Sequence, residues 1–198
     1  MAEQVSETLL GEMRGAVVRL SDAFHAVATG PARRRQLLTP VGLVFFFGLL
    51  AVVVFGGVFT DRAFSLPPLF PGAVGSGVGF ALLGTGLALW VWCVSLFRRA
   101  RGTPVPVNPP RELVVAGPYA WVRNPMMTGV FACLFGLGFA LHSITMVFVW
   151  TPVFVVLGIL ELKLVEEPEL ERRLGAAYVE YRSRVPMFVP RVFGHREW

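Results

Sequence analysis

Three long stretches of this chain contain no formally charged residue, and they limit the folds that it can adopt. Residues 41–60 and 73–97 are each long enough to cross a hydrocarbon core of about 30 Å as an α-helix. Residues 124–160 would span about 55 Å as one helix, which is far too long, so we predict a hairpin with its turn at 138–143. The pattern therefore predicts an all-α, polytopic membrane helix bundle of about four transmembrane helices in a single domain.

The composition agrees with a membrane environment. Hydrophobic residues make up 55% of the chain and charged residues only 16%, unlike a typical soluble globular protein. The net charge is +5, but the basic residues are arginines beside apolar runs, apart from Lys163. This placement favours membrane lipids as partners rather than nucleic acid. Cys93 and Cys133 lie inside apolar runs and are predicted to pack as small hydrophobes, and no metal site is expected.

The arginines indicate how the spans are oriented. The groups at 33–35, at 98–101 and after residue 171 are predicted to share one side of the membrane, which the positive-inside rule makes cytoplasmic. Both termini are then cytoplasmic. Residues 1–37 show apolar residues at roughly helical spacing, so we predict an interfacial amphipathic helix followed by a basic linker. The Arg-rich, Lys-poor composition is compatible with a high-GC bacterial gene, so the bacterial inner membrane is the expected location.

Prolines and glycines divide the remaining segments. The proline-containing stretches 61–72 and 102–118 are predicted to be connectors. Gly75 and Gly79, four apart in the second span, either let a neighbouring helix approach closely or only lighten the helix. Pro168 is favoured in the first turn of a helix, so a cytoplasmic helix with one apolar face is predicted to begin there.

Polar residues cluster at both ends of the predicted hairpin. Tyr119, Arg123 and Asn124 precede it, and Glu166 and Glu167 follow it. Because a hairpin returns both ends to the same membrane face, we expect these groups to converge. Taken alone they have two interpretations: an arginine anchor with helix N-terminal charges, or a ligand site that joins a cation to carboxylates.

The C-terminal half resembles the isoprenylcysteine carboxyl methyltransferase and phospholipid methyltransferase superfamily. The matching motifs cover residues 98 to about 191 around the apolar hairpin. Two departures are Met127, where the family usually has Tyr, and Leu174, where Phe normally precedes the glycine. The residues that carry the resemblance are 102–104, 109–114, 117–126, 166–170, Gly175, Tyr178, Tyr181, Val185 and Pro186.

The resemblance implies an activity and a set of site residues. It implies that S-adenosylmethionine donates a methyl group to a lipid-like, prenylated or small-molecule acceptor that enters from the bilayer. The two spans of 41–97 would then precede a methyltransferase-like core at 98–191. Two alternatives are an NADPH-dependent membrane reductase of unsaturated lipids, since sterol reductases share a related architecture, and a non-enzymatic scaffold. The implied cofactor-binding residues are Tyr119, Arg123, Asn124, Pro125, Glu166 and Glu167, with Arg123 and Glu167 as catalytic residues and with Tyr119 and Pro125 shaping the wall.

Overall fold

The computed structural model describes residues 1–100, 103 and 112–190, and every regular element in those ranges is helical. This confirms the predicted all-α architecture. The long helices are α1 (Ala2–Ala28), α2 (Ala32–Ala63), α3 (Ala73–Arg99) and α4 (Pro125–Ala140), with a short 3-10 helix at Gly117–Ala120. A further helix runs through α5 (Thr151–Glu161) and α6 (Glu167–Leu174), with π-helical turns at Met146–Trp150 and Leu162–Glu166, and is followed by α7 (Ala176–Arg184).

Three helices are long and apolar enough to cross a membrane: α2, α3 and the continuous helix Met146–Leu174. The fourth predicted span, α4, has 16 residues and is about 24 Å long, which is shorter than a typical hydrocarbon core. Large apolar side chains cover the outside of the bundle, including Phe45, Phe55 and Phe59, which are more than 70% exposed. A lipid environment accounts for them, because hydrocarbon solvates apolar side chains without cost.

The predicted turn of the hairpin is confirmed. The Ser143 N–H donates to the Gly138 carbonyl over 2.9 Å, and His142 adopts a left-handed conformation with φ of 53°. The His142 carbonyl accepts a hydrogen bond from the Leu69 N–H over 2.8 Å. The imidazole Nε2 of His142 lies 3.2 Å from the Ser76 hydroxyl. The turn is thereby tied to the loop between α2 and α3.

Glycines let α3 and α4 pack backbone to backbone. A Cβ at Gly79 would lie 2.5 Å from the Ala140 nitrogen, and one at Gly86 would lie 2.5 Å from the Gly129 carbonyl oxygen. No Cβ fits at such distances, so the glycine at position 79 is needed for the close approach of α4 to α3. This is the first of the two interpretations that the sequence left open for Gly79. Gly75 has a different role, since a Cβ there would meet the Phe70 carbonyl of the preceding loop.

The helix α2 packs on the π-helical turn at Met146–Trp150. A Cβ at Gly56 or Gly57 would lie under 3 Å from Trp150 or Met146. The Trp150 indole N–H donates to the Thr60 hydroxyl over 3.2 Å, which satisfies both polar groups within the apolar interior. This contact belongs to the main hydrophobic core, which is built from Val53, Val130, Leu134, Met146 and Phe154.

The prediction that a new helix begins at Pro168 is wrong. The helix runs on from Thr151 through a π-helical turn, and Glu166 and Glu167 keep right-handed helical dihedrals. A proline in a helix interior loses a hydrogen bond and crowds the carbonyl one turn before it, and a widened turn accommodates both effects. The helix ends at Gly175, whose φ of 61° suits glycine, and α7 is a separate helix.

The N-terminal prediction also needs correction. Arginines 33–35 lie in the first turn of α2, so they are helical and do not form a linker. The N-terminal helix is present as α1, and it packs against the π-helical turn at Leu162–Glu166 and against α6. The predicted connector covers residues 102–118, of which Thr103 and 112–116 are described and non-helical. Residues 102 and 104–111 lie outside the described residues, and so do the residues of the family motifs that fall there.

We predict that Gly86→Ala destabilises the bundle, whereas Gly84→Ala does not. A Cβ at Gly86 overlaps the α4 backbone, while nothing lies within 4 Å of one at Gly84 on the same helix. Overpacking of this kind costs about 1–3 kcal/mol. Thermal unfolding in detergent micelles measures the difference. Equal midpoints for the two variants would contradict the packing described here.

Candidate active site

An ion pair joins the two ends of the hairpin. Arg123, just before α4, donates from Nε (3.1 Å) and Nη2 (2.7 Å) to one carboxylate oxygen of Glu167 at the start of α6. The side chains are only 12% and 11% exposed, so the pair is largely shielded from solvent. Arg123 and Glu167, 44 residues apart in sequence, therefore lie at the same end of the bundle, as the sequence predicted.

The same guanidinium also binds the C-terminal segment. Nη1 donates to the carbonyls of Arg182 (2.9 Å) and Val185 (2.7 Å), so four of the five guanidinium N–H bonds have partners. The Arg123 backbone N–H donates to the Pro186 carbonyl over 2.8 Å. The chain after α7 is thus held across the beginning of α4 by one side chain and its own backbone.

Three buried tyrosines, Tyr119, Tyr178 and Tyr181, complete this end of the structure. The Tyr181 hydroxyl donates to the Tyr119 carbonyl over 2.7 Å, and Tyr178 is 2% exposed in the same cluster. Burial raises the pKa of Tyr178 far above its ordinary value, and the Glu167 carboxylate raises this pKa further. Burial also raises the pKa of Tyr119 and of Tyr181. All three phenols are therefore neutral in the physiological range, where each can donate a hydrogen bond but cannot act as a base.

The start of α4 presents an unpaired amide. The Asn124 carbonyl accepts from the Thr128 N–H (3.1 Å) and hydroxyl (3.0 Å), while its half-buried side chain bonds to none of the residues that the structure describes. Pro125 follows as the first residue of α4 and is fully buried. The geometry leaves both hydrogen-bonding groups of the Asn124 amide available to a ligand.

The two adjacent glutamates occupy different faces of α6. Glu167 faces Arg123, whereas Glu166 is half-buried and makes no ion pair within the described part of the chain. Glu169, one turn after Glu166, is 6% exposed and accepts from Arg173 Nε over 2.9 Å. The Glu169 carboxylate also lies 3.6 Å from Nδ1 of His25 in α1. Glu169 is among the residues that carry the family resemblance, but sequence reasoning gave neither Glu169 nor His25 a role in the site.

Several features of this site had no sequence signal of their own. No property of a sequence marks which backbone carbonyl will meet an arginine, so the contacts with Arg182 and Val185 could not be predicted. The tyrosines and Val185 did appear among the residues that carry the family resemblance. The two departures from the family pattern have ordinary packing roles. The methyl group of Met127 lies against Gly158, 3.3 Å from the position that a Cβ of residue 158 would occupy. Leu174 packs on the cluster of Tyr178 and Tyr181.

These observations define an integral membrane protein with a shielded polar site at one end of a helical bundle. A model of the phospholipid methyltransferase family matches residues 74–177, slightly more than half of the chain, and the chain belongs to that family. The family is part of the isoprenylcysteine carboxyl methyltransferase-like superfamily. Comparison with curated proteins and with solved structures found no match. The family supports a membrane methyltransferase and does not favour the reductase.

We predict that Glu167→Ala destabilises the protein by about 3–5 kcal/mol, because it leaves a buried guanidinium with two N–H bonds unpaired. The double variant Arg123→Ala, Glu167→Ala should lose less than the sum of the single variants. Thermal unfolding in detergent measures each value. The exposed pair Glu180 and Arg184 provides the control cycle, which should show little coupling. Purely additive losses at Arg123 and Glu167 would contradict the pairing.

Proposed function

We propose that this chain transfers the methyl group of S-adenosylmethionine to a hydrophobic acceptor that reaches the site from the bilayer. The observation that carries the proposal is the contact between Arg123 and Glu167, which brings Asn124 and Glu166 to one end of the bundle. Arg123 and Glu167, the catalytic residues that the resemblance implies, are proposed to act as positioning residues, because their contact aligns the groups that bind the cofactor. The family assignment supports the reaction class.

The available groups fit the methyl donor, which carries a carboxylate, an ammonium and a ribose diol. Glu166 makes no ion pair with any of the described residues, so its carboxylate suits the ammonium or the diol. The Asn124 amide offers both a donor and an acceptor. The described residues leave one N–H of the Arg123 guanidinium without a partner, so Arg123 contributes at most one bond to the donor's carboxylate and acts mainly by holding Glu167 in place.

When bound, S-adenosylmethionine supplies a methyl carbon to which the acceptor atom bonds while the carbon–sulfur bond breaks and sulfur keeps the electron pair. The protein contributes alignment and exclusion of water, for which the buried wall of Tyr119 and Pro125 is suited. A carboxylate acceptor needs no proton transfer. An ammonium acceptor must first lose a proton, and Glu166 is the base we propose, because Glu167 is engaged by Arg123.

We place the site at the cytoplasmic face. The positive-inside rule supports this placement. Arginines 33–35 lie at the start of α2, and Arg98 and Arg99 lie at the end of α3. The arginines of α6 and α7 follow the hairpin and lie beside the site. We propose that the protein resides in the inner membrane of a bacterium and that both of its termini lie on the cytoplasmic side. A soluble donor then enters from the cytoplasm, and an apolar acceptor enters laterally from the lipid.

Binding of S-adenosylhomocysteine to purified protein in detergent tests the proposal. We expect Asn124→Ala to weaken binding about tenfold or more while the unfolding midpoint stays unchanged, because the amide makes no bond to any residue in the described ranges. Arg99→Ala, at the end of α3, is the control and should bind as the wild type does.

The alternatives give different results in the same assay. A thermal shift with NADPH and none with S-adenosylhomocysteine would indicate a reductase. No binding of either ligand at millimolar concentration would indicate a scaffold. Either result would overturn the proposed activity.

A further inference from the structure

The short helix α6 has two faces that contact different neighbours. Glu167, Leu170 and Leu174 recur at helical spacing and pack towards Arg123 and the tyrosine cluster. Glu166, Glu169 and Arg173 share the other face, and Glu169 there meets His25 of α1. The helix α1 therefore lies on the face that carries Glu166, the carboxylate without an ion-pair partner within the described ranges.

The register between α1 and α6 shows which part of α1 lies near Glu166. Asp22 pairs with Arg172, and His25 lies 3.6 Å from Glu169. A later residue of α1 therefore contacts an earlier residue of α6. The two helices are antiparallel, and a step of three residues on one matches a step of three on the other. The last turn of α1 consequently lies opposite Glu166, in agreement with its packing on the turn Leu162–Glu166.

The contact surface between these helices is closed to solvent. Ser21 is 2% exposed and Glu169 is 6% exposed, whereas Asp22 and Arg172 lie half-exposed at the edge. A carboxylate beside such a surface interacts more strongly with a cation than one in water does, because the local dielectric constant is lower. The presence of α1 thus affects how firmly Glu166 can hold a positively charged group.

We propose that α1 is a positioning element of the site: its contacts through Asp22 and His25 hold the Glu166 face of α6 and set the affinity for the methyl donor. This inference rests on the proposed function and extends it to a helix that precedes residues 74–177, the part that the family model matches. Asp22 and His25 act through α6 and are therefore positioning residues.

Charge reversal across the helix contact tests this role. Asp22→Arg and Arg172→Asp each place like charges together, so each should weaken binding of S-adenosylhomocysteine about fivefold, the scale of one exposed ion pair. The double variant Asp22→Arg, Arg172→Asp should restore wild-type affinity. As a second variant, His25→Ala should weaken binding without any change of charge at Arg172.

The pair Glu180 and Arg184 on α7 supplies the matched control, since it is exposed and joins residues of one helix. Reversal of either charge there should leave the affinity unchanged. Single variants at Asp22 and Arg172 that bind like the wild type, or that lower only the unfolding midpoint, would overturn the inference. A wild-type protein that binds no S-adenosylhomocysteine would instead overturn the proposed function, so the two failures are distinct.

Discussion

The polar end of this protein depends on one guanidinium. Arg123 is largely shielded from solvent, in a position where an unpaired charge would be very unfavourable, and it therefore engages a carboxylate and two backbone carbonyls at once. Those partners come from the start of α6 and from the end of α7. One side chain thus fixes how the hairpin closes and where the last segment of the chain runs, and the groups proposed to bind the donor acquire their places from it.

The rest of the bundle makes that contact possible through backbone features. Close packing of α3 on α4 at Gly79 and Gly86 fixes the position of α4, the arm of the hairpin that begins beside Arg123. In the other arm, the π-helical turn Leu162–Glu166 includes Glu166 and changes the helical phase where the glutamate pair begins. Neighbouring residues of a helix point in directions about 100° apart, so Glu167 faces Arg123 while Glu166 belongs to the turn that packs against α1.

The sequence predicted the bundle well because uncharged length and arginine position follow directly from the physics of lipid. It also predicted that Arg123 and Glu167 would meet, since a hairpin leaves few other arrangements. The continuous helix through Pro168 could not be predicted, because a π-helical turn has no simple residue signature. The contact of α1 with Glu169 was equally hidden, since the spacing of α1 indicates an apolar face without naming its partner.

Photo-cross-linking with methyl-labelled S-adenosylmethionine, followed by peptide mapping, tests the central claim that the two ends of the hairpin form one site for the donor. Ultraviolet irradiation of the purified protein should attach label to peptides that contain residues 117–126 and 166–175, and excess S-adenosylhomocysteine should abolish the label at both. Label confined to the first three helices, or label that the competitor does not remove, would contradict this account.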